Sequence, residues 1–502
     1  MKQEPEEVKR TAGQEISPRE LRRILTGLMF VLTLAALDQN IVTTALPRIT
    51  GDLGGLEHLS WVVTAFLVAS TVSAPLYGRL SDLYGRKPAF TVSIGLFLLG
   101  SVLCGFAVGM GQLIAFRAVQ GLGAGGLIVL AQTVIGDLVS PRERGRYQGL
   151  FAAVFTACSV AGPLLGGLIT EYASWRWIFY VNLPVGAAAM ALISGGLRPR
   201  PPGPRPRLDV FGTALLTAGT CCLLMLLSWG GNLYPWSSAP ALGLAAAAIV
   251  AIALLVLVEL RAPQPIFPPH LFRNRIFIVA TSVIALTAMA LFTALVFLPL
   301  MFQLLMDASP SRAGLMIAPL MGGLIVASFT GGRIVSRTGR YKMLPVIGLS
   351  AFTVCFAALA WAARAGLREA PIEGLLVVMG LGIGLVMPNL TTAIQNAVQR
   401  DELGSATATA AFFRSLGGAL GVALAGAMLA SHLHTPSVRL HVVGGLAQIA
   451  RLTSLQRAAV HDAYRAGLAG AFAAGACISA LSLSVVLFLP ERPLRAAPRA
   501  LH

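Results

Sequence analysis

Runs of about twenty mostly apolar residues recur along this chain, each the length of a helix that crosses the hydrocarbon core of a bilayer. Fourteen are legible, near 24–46, 60–80, 88–108, 112–135, 147–170, 177–197, 209–229, 240–260, 276–301, 312–332, 343–363, 372–395, 406–430 and 465–489. The polar stretches between them are mostly too short to hold a soluble domain. The pattern predicts an all-α polytopic membrane protein. Its connections divide it further. A stiff, basic, proline-rich linker at 198–208 (RPRPPGPRPRL) follows six spans, two more fill 209–260, and a second linker at 261–275 precedes the last six in 276–489. A long loop at 431–464 interrupts this last bundle, and a tail covers 490–502. A short amphipathic helix starting at Ser454 is expected to run from that loop into the last span.

Composition removes other classes. The 502 residues are 56% hydrophobic and 12% charged, with mean hydropathy +0.76; soluble domains carry about a quarter charged residues. Residues 1–23 have mixed charge and no apolar signal core, so no cleavable leader is expected. Within them Ser17-Pro18-Arg19-Glu20 reads as a capping box with proline in the first helical position, which predicts a short amphipathic helix on the membrane surface. Six cysteines (Cys104, Cys158, Cys221, Cys222, Cys355 and Cys477) fall inside spans as small packing residues, with no disulfide framework.

The net charge of +17 reports orientation. Lys and Arg crowd the connections that share a side with the N-terminus, the positive-inside pattern, and an even number of spans then puts both termini in the cytoplasm. This distribution calls for a lipid bilayer and no nucleic acid. Catalysis is equally unsupported. The chain has no Gly-Lys dipeptide, hence no ATP-binding loop of the Walker type, and neither zinc-ligand spacing nor a nucleophile elbow. His432, His434 and His441 sit in the 431–464 loop at a spacing that suggests no metal site. No enzyme activity, metal or cofactor is expected. Energy must then come from a gradient, and a proton crossing the membrane carries about 2.3 kcal/mol per 100 mV.

Asp38 is the one acidic residue near the middle of a span. A carboxylate there costs about 2.5–3.5 kcal/mol on insertion scales and is by default a functional candidate; the bland reading is a static hydrogen-bonding group. Asp38 lies about 12 Å, and Arg117 about 7–8 Å, from the outer ends of their spans at helical rise. Their difference in depth is within an arginine's reach, which predicts a proton-linked relationship, direct or through Gln120 or water. The alternative is Arg117 extended to the outer headgroups. Gln39, Asn40, Gln120, Phe297, Met321 and Arg414 are candidate cavity residues, together with Phe292, Met301, Phe302 and Gln303. For Arg414, attraction of an anionic group, balance of an acid and a conformational role all stay open. Glu259, near a span end, is a weaker acid. Asn389, Gln395 and Asn396 read as packing and hydrogen-bonding groups.

The two sixes echo each other. GRLSDLYGRK at 78–87 and GRIVSRTGRYK at 332–342 both follow the second span of their six. Paired six-helix repeats around a midplane site are a transporter architecture. The first of these loops resembles the signature loop of the major facilitator superfamily through Gly78, Asp82, Gly85, Arg86 and Lys87. LIAFRAVQGLGAGG at 113–126 resembles its span 4 motif, and AGPLLGG at 161–167 its span 5 motif, through Gly162, Pro163, Gly166 and Gly167. LDQNIVTTALPRI at 37–49, WRWIFYVNLPVG at 175–186 and FFRSLGGALG at 412–421 are similar to the fourteen-span drug/proton antiporter subfamily. Ser336 stands where the first loop has Asp82, Cys158 where the span 5 motif often has glycine, and Gln39-Asn40 and Thr43-Thr44 replace commoner choices in the subfamily.

The resemblance implies the major facilitator fold, two six-helix bundles plus two extra helices, in the cell (inner) membrane. It implies that Asp82 latches the bundles in the outward-facing state, that the span 5 motif marks an antiporter, and that Asp38 and Arg117 couple protons to export. The expected cargo is a small amphipathic molecule, cationic or lipophilic. A defined metabolite, lipid or siderophore is the alternative cargo, and a transport-inactive membrane sensor the alternative class. A periplasmic adaptor protein is left open as a partner.

Overall fold

The computed structural model describes residues 17–54, 59–197, 209–231, 234–306, 308–365, 369–433 and 454–494. Among them fourteen helices are long and apolar enough to span a membrane. The first six are α1 (Pro18–Leu53), α2 (Leu59–Tyr84), α3 (Arg86–Gly105), α4 (Met110–Leu138), α5 (Pro141–Tyr172) and α6 (Trp177–Gly196). The inserted pair is α7 (Val210–Trp229) and α8 (Ala239–Glu259). The last six are α9 (Arg275–Leu305), α10 (Ala318–Thr338), α11 (Met343–Ala365), α12 (Glu369–Ala397), α13 (Leu403–Leu433) and α14 (Ser454–Val486).

Helix starts follow local chemistry. At Ser17 the capping box forms: its hydroxyl accepts from the Glu20 amide, and Glu20 accepts from the Ser17 amide. Asp209, Ser238 and Asn274 cap α7, α8 and α9 in the same way, each accepting an amide that has no partner inside the helix. Pro75, Pro163, Pro299 and Pro388 lie within helices, where neighbouring helices compensate for the lost bond.

Two boundaries differ from the sequence reading. The separate surface helix expected before the first span is the opening of α1 itself, because the capping box starts a helix that nothing interrupts for 36 residues. The loop drawn at 431–464 is shorter, since α13 runs to Leu433, taking His432 with it, and α14 starts at Ser454 as one continuous helix. His434, His441 and the basic linker at 198–208 lie outside the described residues. The 261–275 connection is ordered by Glu259, whose carboxylate accepts the amides of Ile266 and Phe267 at 3.2 and 3.0 Å. Glu259 is thus a turn-forming group.

The sixes share one packing scheme. In the first, α2 and α3 pack on α4, while α5 and α6 pack on α1; in the second, α10 and α11 pack on α12, and α13 and α14 on α9. The halves meet along two seams, α2 against α13 and α5 against α10, which exchange under a two-fold rotation. At one end, that of the 78–87 loop (the loop end), both seams close to backbone contact. A Cβ added at Gly78 would lie 2.6 Å from the Gly404 carbonyl, and one at Gly145 2.4 Å from the Gly332 Cα. Only glycine fits that approach. Away from this end the halves separate around a cavity of about 1720 Å³ that reaches Gly230, Gly314 and Ala430 at the far end.

The inserted pair sits across one seam. α7 leans on both α2 and α13, Leu216 and Leu255 cluster with Leu76 and Phe412, and Trp229 meets Trp61 edge-on at 4.9 Å.

Replacing Gly145 by valine should force the α5–α10 seam apart by several ångström at the loop end. Spin labels at Tyr84 and Arg337, exposed on the two halves at that end, report it as a lengthened distance distribution. An unchanged distribution would mean that this contact does not set the seam.

Candidate functional site

Asp38 faces into the first bundle, wholly removed from solvent, and Arg117 reaches it from α4 at 2% exposure. Arg117 Nη1 donates to Asp38 Oδ2 at 2.8 Å and to Gln120 Oε1 at 2.7 Å. Two amides hold the second carboxylate oxygen: Gln120 Nε2 at 2.8 Å and Asn182 Nδ2 at 3.0 Å. Both of these also donate to the Ser101 hydroxyl. The guanidinium lies over the Phe66 ring, 4.0 Å from its centroid. Four helices, α1, α3, α4 and α6, thus converge on one carboxylate. A buried pair survives when its remaining lone pairs are satisfied, and removing one partner typically costs about 3–5 kcal/mol.

The predicted pairing of Asp38 with Arg117 is therefore direct. Gln120 belongs to this cluster; it is fully buried and takes no part in the cavity wall, contrary to its expected place there. Asn182 and Ser101 escaped the sequence reading. Asn182 left a usable signal, an amide inside the apolar run of α6; Ser101 left none, since serine is common in membrane helices.

Along α1, the residues after Asp38 turn the other way. Gln39 and Asn40 line the cavity, as does Thr44 a turn later. The span 5 motif supplies the surface on which this face rests. A Cβ at Gly162 would lie 2.6 Å from the Asn40 Cβ, and one at Gly166 2.2 Å from the Thr44 hydroxyl oxygen. Pro163 lines the cavity. Gly167, the last residue of the motif, lies off this surface: a Cβ there meets nothing within 4 Å.

The cavity wall is largely apolar, from both bundles and from α7. Phe292, Phe297 and Met321 contribute to it, as expected; Met301, Phe302 and Gln303 do not, and the first two are packed inside the second bundle. Its polar side chains are amides and hydroxyls, among them Gln132 and Gln148. Arg414 is its one ionisable group among the described residues; no acidic side chain lines it. Gln395 stitches the halves beneath the cavity, donating to the Gln132 carbonyl at 3.1 Å and the Thr407 hydroxyl at 3.3 Å.

At the loop end Asp82 clasps the opposite half. Its carboxylate accepts the amides of Gly404 and Ser405 at 2.9 and 2.6 Å and the Ser405 hydroxyl at 2.7 Å, closing the N-terminus of α13. Those amides have no partner inside the helix, and a helix N-terminus favours negative charge. Arg86 Nη1 braces the carboxylate at 2.6 Å while its Nε donates to Asp137 at 2.7 Å. Gly85, at φ 95°, turns the chain between α2 and α3 so that Arg86 can fold back. The matching loop of the second half, with Ser336, makes no such clasp. Its Tyr341 and Lys342 amides donate instead to Glu491, tying down the end of the chain.

Comparison with known proteins agrees with this arrangement. The profile of the Major Facilitator Superfamily matches residues 28–422. A multidrug transporter protein of Bacillus subtilis is 37% identical over 406 residues, covering 81% of this chain and 75% of that protein. An uncharacterized transporter of the same type from Mycobacterium tuberculosis is 36% identical over 494 residues, 97% of this chain and 72% of its own. Among solved structures, the human organic anion transporter MFSD10 superposes with a TM-score of 0.64 at 17% identity, over 94% of this chain and 100% of that one, which shows the fold alone.

Asp82→Asn should weaken the clasp, since hydrogen bonds to a charged group are each worth about 1.5–3 kcal/mol. Hydrogen exchange at the Gly404 and Ser405 amides is then expected to accelerate by about ten- to a hundred-fold in the variant. Equal protection in both proteins would show that Asp82 does not hold α13.

Proposed function

The chain belongs to the Major Facilitator Superfamily, and we propose that it is a proton-coupled multidrug exporter that expels amphipathic or lipophilic compounds by alternating access. That membership makes it a transporter rather than an enzyme, and the fourteen membrane-length helices among the described residues make it a multi-pass protein of the cell membrane. Relatives that carry the multidrug name, across more than two thirds of their length, support the cargo class. With the loop end in the cytoplasm, as the basic connections argue, the described state is outward-facing: clasped inside and hollow toward the exterior.

One observation carries the coupling: the buried Asp38, paired with Arg117 of α4, and the cavity-lining Gln39 and Asn40 are consecutive on α1. Cargo and proton do not compete for the same atoms, because Asp38 is sealed from the cavity. They meet through α1. Protonating Asp38 removes the charge that holds Arg117, Gln120 and Asn182, loosening four helices at once. Cargo acts on the opposite face of α1, which rests on α5 through Gly162 and Gly166. A ligand shifts such an equilibrium only by its difference in affinity between the two states. The energy available is about 2.3 kcal/mol per proton per 100 mV, increased by any pH difference.

In proteoliposomes with an imposed pH gradient, Asp38→Asn is expected to abolish gradient-driven accumulation of a lipophilic dye while leaving equilibrium binding of that dye in place. The amide keeps the acceptor for Arg117 but takes up no proton. Undiminished accumulation by the variant would remove Asp38 from the coupling.

A further inference from the structure

Arg414 lies eleven residues into α13, about 16 Å along it at helical rise, within the membrane-spanning part. Its guanidinium makes no hydrogen bond or ion pair with any described residue, although it is partly exposed and lines the cavity. The other arginine deep in a span, Arg117, has its charge matched by Asp38. An ionised group inside a membrane ordinarily finds a partner or faces water. Here no protein carboxylate is available: none of the described residues lining the cavity is Asp or Glu. The hollow therefore carries one uncompensated positive charge. Around it lie apolar side chains such as Phe292, Leu295 and Met321 and the unionised amides of Gln39 and Gln132. Its volume, about 1720 Å³, exceeds the usual range of about 300–1,000 Å³ for drug-sized pockets.

We propose that the cavity selects amphiphilic anions: a carboxylate, phosphate or sulfonate on a bulky lipophilic body, with Arg414 as the group that takes the anion. The guanidinium fork presents parallel N–H donors that match two oxygens of such a head, which a lone ammonium does not. The apolar wall receives the body. A lipophilic cation meets repulsion from Arg414 and no opposite charge to offset it. The inference names the cargo of the exporter proposed above and rests on that reading only for the fate of the bound molecule; the binding preference stands without transport. The same head chemistry occurs on an anionic phospholipid, so lipid and free amphiphile share this site as candidate occupants.

The test is equilibrium binding to purified protein in nanodiscs, with no gradient, using three pyrene probes that differ only at the head: pyrenebutyrate, pyrenebutanol and pyrenebutyl-trimethylammonium. Wild type is expected to bind the carboxylate at least tenfold more tightly than the cation. Arg414→Gln should lower carboxylate affinity to that of the alcohol and relieve the exclusion of the cation, with retained binding of the alcohol showing that the cavity is still formed. Arg414→Lys should restore part of the preference. Cation binding equal to carboxylate binding in wild type, or an anion preference that survives Arg414→Gln, overturns the proposal. Repeating the titration with phosphatidylglycerol in the disc separates the sources. Weakened carboxylate binding that depends on Arg414 assigns the site to a lipid head, and unchanged binding assigns it to a free amphiphile. Because nothing here is driven by protons, loss of coupling in the Asp38 experiment leaves this result untouched.

Discussion

A carboxylate and a guanidinium taken out of water have to satisfy each other, and the first bundle is organised by that requirement. Asp38 and Arg117 come from helices that are not neighbours in the chain, so their pairing sets how deep α1 and α4 sit relative to one another. Gln120, Asn182 and Ser101 fill the remaining hydrogen-bonding positions and bring in α3 and α6. In the coupling proposed above, one proton on Asp38 alters this shared partner set and so reaches the far side of α1, where Gln39 and Asn40 line the cavity.

The halves are fastened to one another at the loop end. Toward the loop end, backbone meets backbone at Gly78–Gly404 and Gly145–Gly332, and Asp82 adds a charged clasp on α13. The duplicated loop in the second half has lost the acid, and its polar groups are turned to the chain's end instead. Closure at this end is therefore built on one charged clasp and two glycine contacts, with the Gln395–Gln132 bond between them and the cavity. The repeat that is symmetric in helix packing is asymmetric in its fastening.

Much of this was legible in the sequence, and the limits were physical. Span number and the pairing of Asp38 with Arg117 follow from apolar length and helical rise, which are properties of one helix at a time. The facing of a residue between helices is not. The sequence offers Gln120 both to the Asp38–Arg117 pair and to the cavity; the packing of α4 on α3 buries it beside Ser101 and leaves it only the first. Gly167 was grouped with Gly166 by adjacency, yet one step along a helix turns a residue by about 100°, enough to move it off the α1 seam. The position of α7 across a seam left no trace in periodicity, because every face of a membrane helix in lipid is apolar.

That placement gives the molecule a front and a back. The duplicated core by itself has two equivalent flanks where its halves meet, and lipid chains could enter at either. α7 bars one of them, presenting Leu224 and Leu227 to the interior where a bilayer tail would otherwise slip between α2 and α13. The other flank, between α5 and α10, carries no third helix among the described residues. The two sides that the repeat alone would make alike thus present different walls to the surrounding lipid.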